Sequence, residues 1–245
     1  MHRNQLFLHY QPQYNIVSKK IESFEALLRW QHPELGLVSP DKFISIAEES
    51  GLIIKIGLWV LQTAVRQLVI WQKDFNPELL MAVNVSVRQL EGDELGQSVK
   101  SLLDLTQLRP ECLELEVTEN ISIDDDSAIL ANLHKLNELG IQLSMDDFGT
   151  GYSNMSYLKK LPIRRIKIDR CFITDLPQDR NDAAIAQTII AMAKSFNYDV
   201  IAEGIETKEQ EDFLLKNGCY IGQGYLFSRP VSAEEATKLL DYDFK

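Results

Sequence analysis

The chain has 245 residues, 45% of them hydrophobic and 25% charged, with 12 Gly and 8 Pro. This composition excludes a disordered, collagen-like or low-complexity chain and allows one well-filled core, with no linker or repeat to divide residues 1–245. The 36 acids against 25 bases leave a formal net charge of −11, which disfavours the basic surface that grips nucleic acid, so no DNA partner is expected. Apolar stretches such as Gly51 to Leu61 are broken by Lys55 and fall short of the roughly 20 residues that cross a bilayer, so no membrane insertion is expected. Met1 to Gln5 run straight into Phe7 to Tyr10 without a secretory leader, and Cys112, Cys171 and Cys219 have no CxxC spacing. The expectation is a cytoplasmic domain with reduced, buried cysteines.

In chain order, Phe7 to Gln11 and Ile21 to Trp30 read as two strands with a short polar connection, a hairpin rather than a βα unit. Leu58, Leu61, Val65, Leu68 and Val69 recur at helical spacing and predict a core-facing stripe. From there short apolar segments alternate with helical patterns. Met81 to Ser86 precedes Leu95 to Leu105, Leu113 to Thr118 precedes Ile129 to Leu139, and Ile141 to Met145 precedes a loop. Arg164 to Ile168, a helix around Ala183 to Phe196, Val200 to Ala202 and Tyr220 to Ile221 continue the series. Such a repeat predicts an α/β fold with a mostly parallel sheet, and a chain of this length holds about eight units of roughly 30 residues, a (β/α)8 barrel with a distorted opening.

Barrel enzymes assemble their sites from the carboxyl ends of several strands. Glu25, Asn84, Glu116, Asp146 with Asp147, Lys167, Glu203 and Gln223 each interrupt or close an apolar segment. Side chains alternate in a strand, so Asn84, Glu116 and Lys167 lie opposite their apolar neighbours and one polar face per strand can point to a common mouth. Asp146 and Asp147 are adjacent and would both reach that mouth only if the strand ended there, with Gly149 and Gly151 supplying turn freedom. Gathered carboxylates repel by about 4 kcal/mol per pair at ~4 Å and an effective dielectric near ~20. Lys167 alone offsets too little of this. Carboxylates plus an Asn carbonyl suit hard divalent ions, Mg²⁺ or Mn²⁺, rather than zinc, and a two-ion phosphodiester site follows with an aspartate bridging ions about 3.5–4 Å apart.

Other motifs carry less. His2, His9, His32 and His134 show no metal-ligand spacing and read as surface or core residues. Gly222-Gln223-Gly224 lacks a phosphate loop, Asp147-Phe148-Gly149 lacks the companions of a kinase, and Asn84-Val85-Ser86 is an accidental glycosylation match. An isolated acid at a strand end usually meets solvent or caps a helix; six strand ends together weigh against that for the group.

These residues resemble the EAL-domain phosphodiesterases that hydrolyse cyclic di-GMP. The resemblance rests on Glu25-Ala26-Leu27 within FEALLRW, Gln11-Pro12, NVS at 84–86, ELEVTE at 114–119, DDFGTGYS at 146–153, KID at 167–169, AEGIE at 202–206 and GQGY at 222–225, and covers about Leu6 to Val231. It implies a barrel whose first strand runs antiparallel to the others. Glu25, Asn84, Glu116 and Asp146 would hold one metal and Asp146 and Asp147 a second, with Glu203 and Gln223 completing the coordination. Lys167 would orient or deprotonate the attacking water, with Glu25 and Glu203 also in the catalytic group. Glu119 would brace the loop after Asp147, and Gln11, Leu28, Arg29 and Asp169 would contact the dinucleotide. Asn154 and Met155 stand where the family more often has Ser and Leu.

The resemblance further implies a homodimer and a domain excised from a longer chain carrying GGDEF, PAS or receiver modules, in a parent protein for which membrane anchoring is left open. The expected reaction opens cyclic di-GMP to linear pGpG by in-line attack of an activated water. A catalytically silent cyclic di-GMP receptor is the alternative, since such relatives lack metal ligands or the lysine. An unrelated enolase-like or aldolase-like barrel lacks its base and carbonyl partners here.

Overall fold

The computed structural model describes residues 5–119, 127–151 and 158–241. Eight strands close into a barrel: β1 (Leu6–Asn15), β2 (Lys20–His32), β4 (Leu80–Asn84), β5 (Leu113–Thr118), β6 (Gln142–Phe148), β7 (Arg165–Ile168), β8 (Asp199–Ala202) and β9 (Ile221–Gly222). Their order around the barrel is β1-β9-β8-β7-β6-β5-β4-β2, closed by β1–β2 pairing, and β3 (Gly36–Val38) adds to the outer part of β2. Strand β1 is antiparallel to both β2 and β9, whereas the pairs from β2 through β4 to β9 are parallel. The hairpin opening and the reversed first strand are therefore as the sequence implies. The β1–β2 turn is fixed locally: the Asn15 Oδ1 accepts the backbone N–H groups of Val17 and Ser18, an Asx turn, and Lys19 takes a left-handed φ of 58°.

Helices α1 (Pro40–Glu49), α2 (Leu52–Asp74), α3 (Val87–Leu90), α4 (Glu94–Thr106), α5 (Ser127–Glu138), α6 (Arg180–Ser195), α7 (Lys208–Asn217) and α8 (Ala233–Leu240) surround the described part of the barrel. The parallel strands need cover on both faces, and the helices supply it from outside. Helix α2 buries Ile53, Gly57, Val60, Leu61, Ala64, Val65, Leu68 and Trp71. The predicted stripe is thus rotated: Leu61, Val65 and Leu68 are buried, but Leu58 and Val69 sit at its half-buried edges, and Gly57 is buried closely against the Gln89 side chain of α3. Helix α2, 23 residues with an 18-residue window of mean hydropathy 1.5, is long and apolar enough to cross a membrane by length and composition, which the lysine-interrupted stretch in the sequence does not convey. In this fold its apolar face packs on the barrel. Trp71 lies against Tyr10 and Phe24, and its indole N–H donates to Thr237 on α8 at 2.8 Å.

Cys112 and Cys219 are buried thiols, but Cys171 is exposed, contrary to the expectation of burial, because it lies in a short 3₁₀ turn just past β7. Ser86 of the chance sequon caps α3, accepting from the Arg88 N–H while Gln89 reaches back to the Ser86 N–H. His9 and His32 are half-buried and His134 is exposed, while His2 lies outside the described residues.

Candidate active site

Asn84, Glu116, Asp146, Asp147, Lys167, Glu203 and Gln223 stand in the last three residues of a parallel barrel strand or one residue past it, whereas Glu25 lies within the long β2 and Gln11 opposite it on β1, and the backbone ladder continues past the strand ends. Val85 N–H donates to Glu116 O, Glu119 N–H to Asp146 O, Glu203 N–H to Ile168 O and Gln223 N–H to Ala202 O, all between 2.9 and 3.1 Å. The parallel register sets Asn84 beside Glu116 and Thr118 beside Asp146. Glu25 comes from β2, Glu116 from β5, Asp146 from β6 and Lys167 from β7, all buried.

Lys167 Nζ sits at their centre. It is 2.6 Å from Glu116 Oε2, 2.6 Å from Glu203 Oε1, 3.1 Å from Asp146 Oδ1 and 3.6 Å from Glu25 Oε2. Burial opposes its charge, yet Asp146, Glu116, Glu203 and Glu25 outweigh burial and hold the ammonium well above its ordinary pKa. The lysine thus does more to offset the acids than its lone presence in the sequence implies, though one positive charge still faces at least four carboxylates.

Two groups of carboxylates converge. Glu25, Glu116 and Asp146 bring oxygens within 4.8 Å of one another, and so do Asp146, Asp147 and Glu203, with Asp146 common to both. Burial pushes the Glu25 carboxyl up, but Lys167 and the hydrogen bonds from Gln223 and Asn84 outweigh it and hold the pKa below the ordinary value. Asn84 Nδ2 donates to Glu25 Oε1 and Gln223 Nε2 to Glu25 Oε2, both at 2.6 Å. Burial, then the charge of Glu25, lift Glu116 well above the usual carboxylate range. Burial followed by Asp146 and Asp169 pushes Asp147 up to about 6, and Glu203 rises to about 8 through burial, with Asp146 and Glu25 overcoming the pull of Lys167.

Asp147 reaches the mouth by a different route from the one its sequence context implies. Strand β6 runs on to Phe148, but its register against β7 shifts between Met145 and Phe148, and Asp147 itself adopts a left-handed φ of 54°. Aspartate tolerates this conformation, and the bulge lets neighbouring side chains leave strict alternation. Gly149 does provide a left-handed turn, with φ 99°, and a Cβ there would lie 2.7 Å from the Phe172 ring. The Gly222-Gln223-Gly224 segment serves close packing: a Cβ on Gly224 would lie 2.1 Å from the Ile205 carbonyl oxygen.

Glu119 accepts the Gly149 N–H at 2.7 Å and the Gly151 N–H at 3.3 Å, so it ties down the start of the loop after Asp147. Asn154 and Met155 lie outside the described residues. Gln11 is buried, receives Gln223 Nε2 at 3.0 Å and donates to Ser228 O at 3.1 Å. Arg29 is half-buried on the same face of β2 as Glu25 and donates to Leu28 O at 2.9 Å, while Leu28 packs against the core from the opposite face. Asp169 is hydrogen-bonded with Asp147 and accepts the Cys171 N–H. The structure therefore brings Glu25, Asn84, Glu116, Asp146, Asp147, Lys167, Glu203 and Gln223 together, with Gln11 bonded to Gln223 and Glu119 holding the adjoining loop.

The donor set fits divalent cations. Among the described residues the ligand-capable groups here are all oxygen-bearing, and the buried Gln223 Oε1 accepts no hydrogen bond while its Nε2 donates to Glu25.

The sequence matches the EAL domain family over residues 1–230. The bifunctional diguanylate cyclase/cyclic di-GMP phosphodiesterase MucR of Pseudomonas aeruginosa is 44% identical over 235 residues, which are 96% of this chain and 34% of MucR. The cyclic di-GMP phosphodiesterase PdeR of Escherichia coli is 40% identical over 233 residues, 95% of this chain and 35% of PdeR. A solved structure described as PaMucR phosphodiesterase in a c-di-GMP complex superposes with a TM-score of 0.91 at 44% identity, covering 96% of this chain and 95% of that one. The chain belongs to the EAL domain family. It spans about a third of the length of these curated relatives.

Proposed function

We propose that the chain is a cyclic di-GMP-specific phosphodiesterase that uses two Mg²⁺ or Mn²⁺ ions to open the cyclic dinucleotide to linear pGpG. The observation that carries this reading is the pair of carboxylate groups sharing Asp146 around Lys167, in a chain whose relatives include named cyclic di-GMP phosphodiesterases. Glu25, Asn84, Glu116 and Asp146 would hold one ion and Asp146, Asp147 and Glu203 the other, with Gln223 turned to the first. When bound, such ions polarise phosphoryl oxygens, acidify the attacking water and stabilise the leaving oxygen.

The chain's own residues supply the rest. Lys167 orients the attacking water, and Glu203, 2.6 Å from the Lys167 ammonium and with its pKa raised, accepts the water's proton once it is itself deprotonated, while Glu25 stays ionised as a ligand. The water oxygen bonds to phosphorus as the P–O3′ bond breaks, the bond pair leaves with O3′, and O3′ takes up a proton to give the hydroxyl. Arg29 presents its planar fork to a phosphate, set in place by the Leu28 carbonyl, while Gln11 and Asp169 contact the dinucleotide. The silent-receptor alternative has no motive here, because each ligand and the lysine are in place.

The same reading treats residues 1–245 as one catalytic domain, working in the cytoplasm, within a longer regulated protein. A homodimer formed through the segment after Asp147 belongs to it, supported by the grip of Glu119 on that segment. The test is a hydrolysis assay with Mg²⁺ or Mn²⁺ and product identification across protein concentrations. Linear pGpG is expected, with a rate per chain that rises with concentration. Cyclic di-GMP left uncut at every metal and protein concentration would defeat the proposal.

A further inference from the structure

Beneath the mouth lies a second charged layer that no role above uses. Glu114 precedes Glu116 by two residues on β5, and Arg165 precedes Lys167 by two on β7, so strand alternation puts both on the barrel's inner face about 7 Å deeper. Both are buried, at 2% and 5% exposure. An Arg165 guanidinium nitrogen is hydrogen-bonded to Glu114 Oε2, and this is the ion pair either residue makes among the described residues. Ser144, beside Glu116 on one side and Arg165 on the other by register, lies between the layers and carries no charge.

We propose that the Glu114–Arg165 pair sets the field under the metal site, so that the two residues act on divalent-cation affinity in opposite directions. This rests on the metal-dependent reading above. Neither residue touches the reacting atoms; both are positioning residues acting through charge. A neutral pair leaves the mouth's field to its own carboxylates. An unpaired Arg165 would put a second cation directly under Lys167 and oppose an incoming ion, whereas an unpaired Glu114 would add to the attraction. Deep in the barrel neither charge is screened by salt as a surface charge is. The layers are close: Glu114 lies two residues below Glu116 on one face of β5, and Arg165 two below Lys167 on one face of β7. A purely structural pair would behave differently, since breaking a buried ion pair from either side costs stability in the same direction.

The test is Mn²⁺ binding to the full chain without nucleotide, by calorimetric titration, alongside thermal unfolding of the metal-free protein. Glu114→Gln is expected to weaken Mn²⁺ binding roughly tenfold and Arg165→Met to tighten it by about as much, as one buried charge at this range implies. The double variant is expected to return within about threefold of the parent chain, because the two opposite charge effects sum to about zero. Changes of the same sign in both single variants, or unaltered affinity in Glu114→Gln, would overturn the proposal. If Arg165→Met does not fold, Glu114→Gln against the double variant decides it. If both single variants unfold, the pair is structural and the proposal falls. A parent chain that takes up no Mn²⁺ overturns the metal-dependent reading itself, which the variants alone do not.

Discussion

The two carboxylate groups of the mouth share Asp146 yet are built to different standards. Glu25 and Glu116 are almost wholly buried, and Glu25 is clamped by Asn84 and Gln223. Asp147 and Glu203 are only half-buried, one on a left-handed bulge and one beyond the end of β8. The first group keeps Glu25 ionised by fixed donors while Glu116 is raised, whereas in the second, which has no such clamped member, both unshared carboxyls are raised, to about 6 and about 8. The difference teaches that a ligand group can be prepaid with hydrogen bonds or left to wait for its cation, and the two choices respond differently to mutation and pH.

Removing the shared residue should blur the comparison most. Asp146→Ala is expected to lose both ions and to cut turnover by at least about 10³-fold, while Glu25→Ala abolishes turnover through the first group; steady-state kinetics with metal titration checks both. If Asp146→Ala retained activity, the assignment of a shared ligand would fail. Next, Lys167→Ala should lower kcat by roughly 10²–10⁴-fold with little change in KM, as expected of a group acting on the water rather than the nucleotide. An equal loss in nucleotide binding would contradict that role. Asp147→Asn touches only the second group, so one strong ion should remain while turnover drops by about 10²-fold, as a Mn²⁺ stoichiometry measurement would reveal.

The smallest effect concerns pH. Metal uptake by the second group must expel the protons held by Asp147 and Glu203, so its affinity should climb from pH 6 to about 8 and then level off. In the metal-free protein the sign is opposite. Carboxyls raised on folding contribute stability that is present at low pH and lost as the pH rises through about 8, so apo stability should fall across that window. Calorimetry in buffers of different ionisation enthalpy would count the protons released, and apo melting curves would test the second sign.

Much of this site could be read from the residues because parallel strands expose their carboxyl ends together: Asn84, Glu116, Asp146, Lys167, Glu203 and Gln223 each broke an apolar run near a strand end, and Glu25 broke one within the longer β2. What escaped lacked such contrast. Helix α1 buries only Phe43 and Ala47, and α7 buries Gln210 and Glu211 beside Leu214, so their apolar periods are faint. The bulge at Asp147 is set by tertiary register rather than by local composition. Glu114 and Arg165 did leave a signal, since Glu-x-Glu on β5 and Arg-x-Lys on β7 each put two charges on one face; only the closed barrel shows that the two faces meet.

The reversal of β1 has a consequence for anything joined to the chain. In an all-parallel barrel the first strand would start at the floor, but here Leu6 pairs with Trp30, past Glu25 in the direction of the rim. Polypeptide entering at Leu6 therefore arrives from the side where the nucleotide would dock. A fused reporter or affinity handle placed there is a steric neighbour of the mouth where the carboxylates gather.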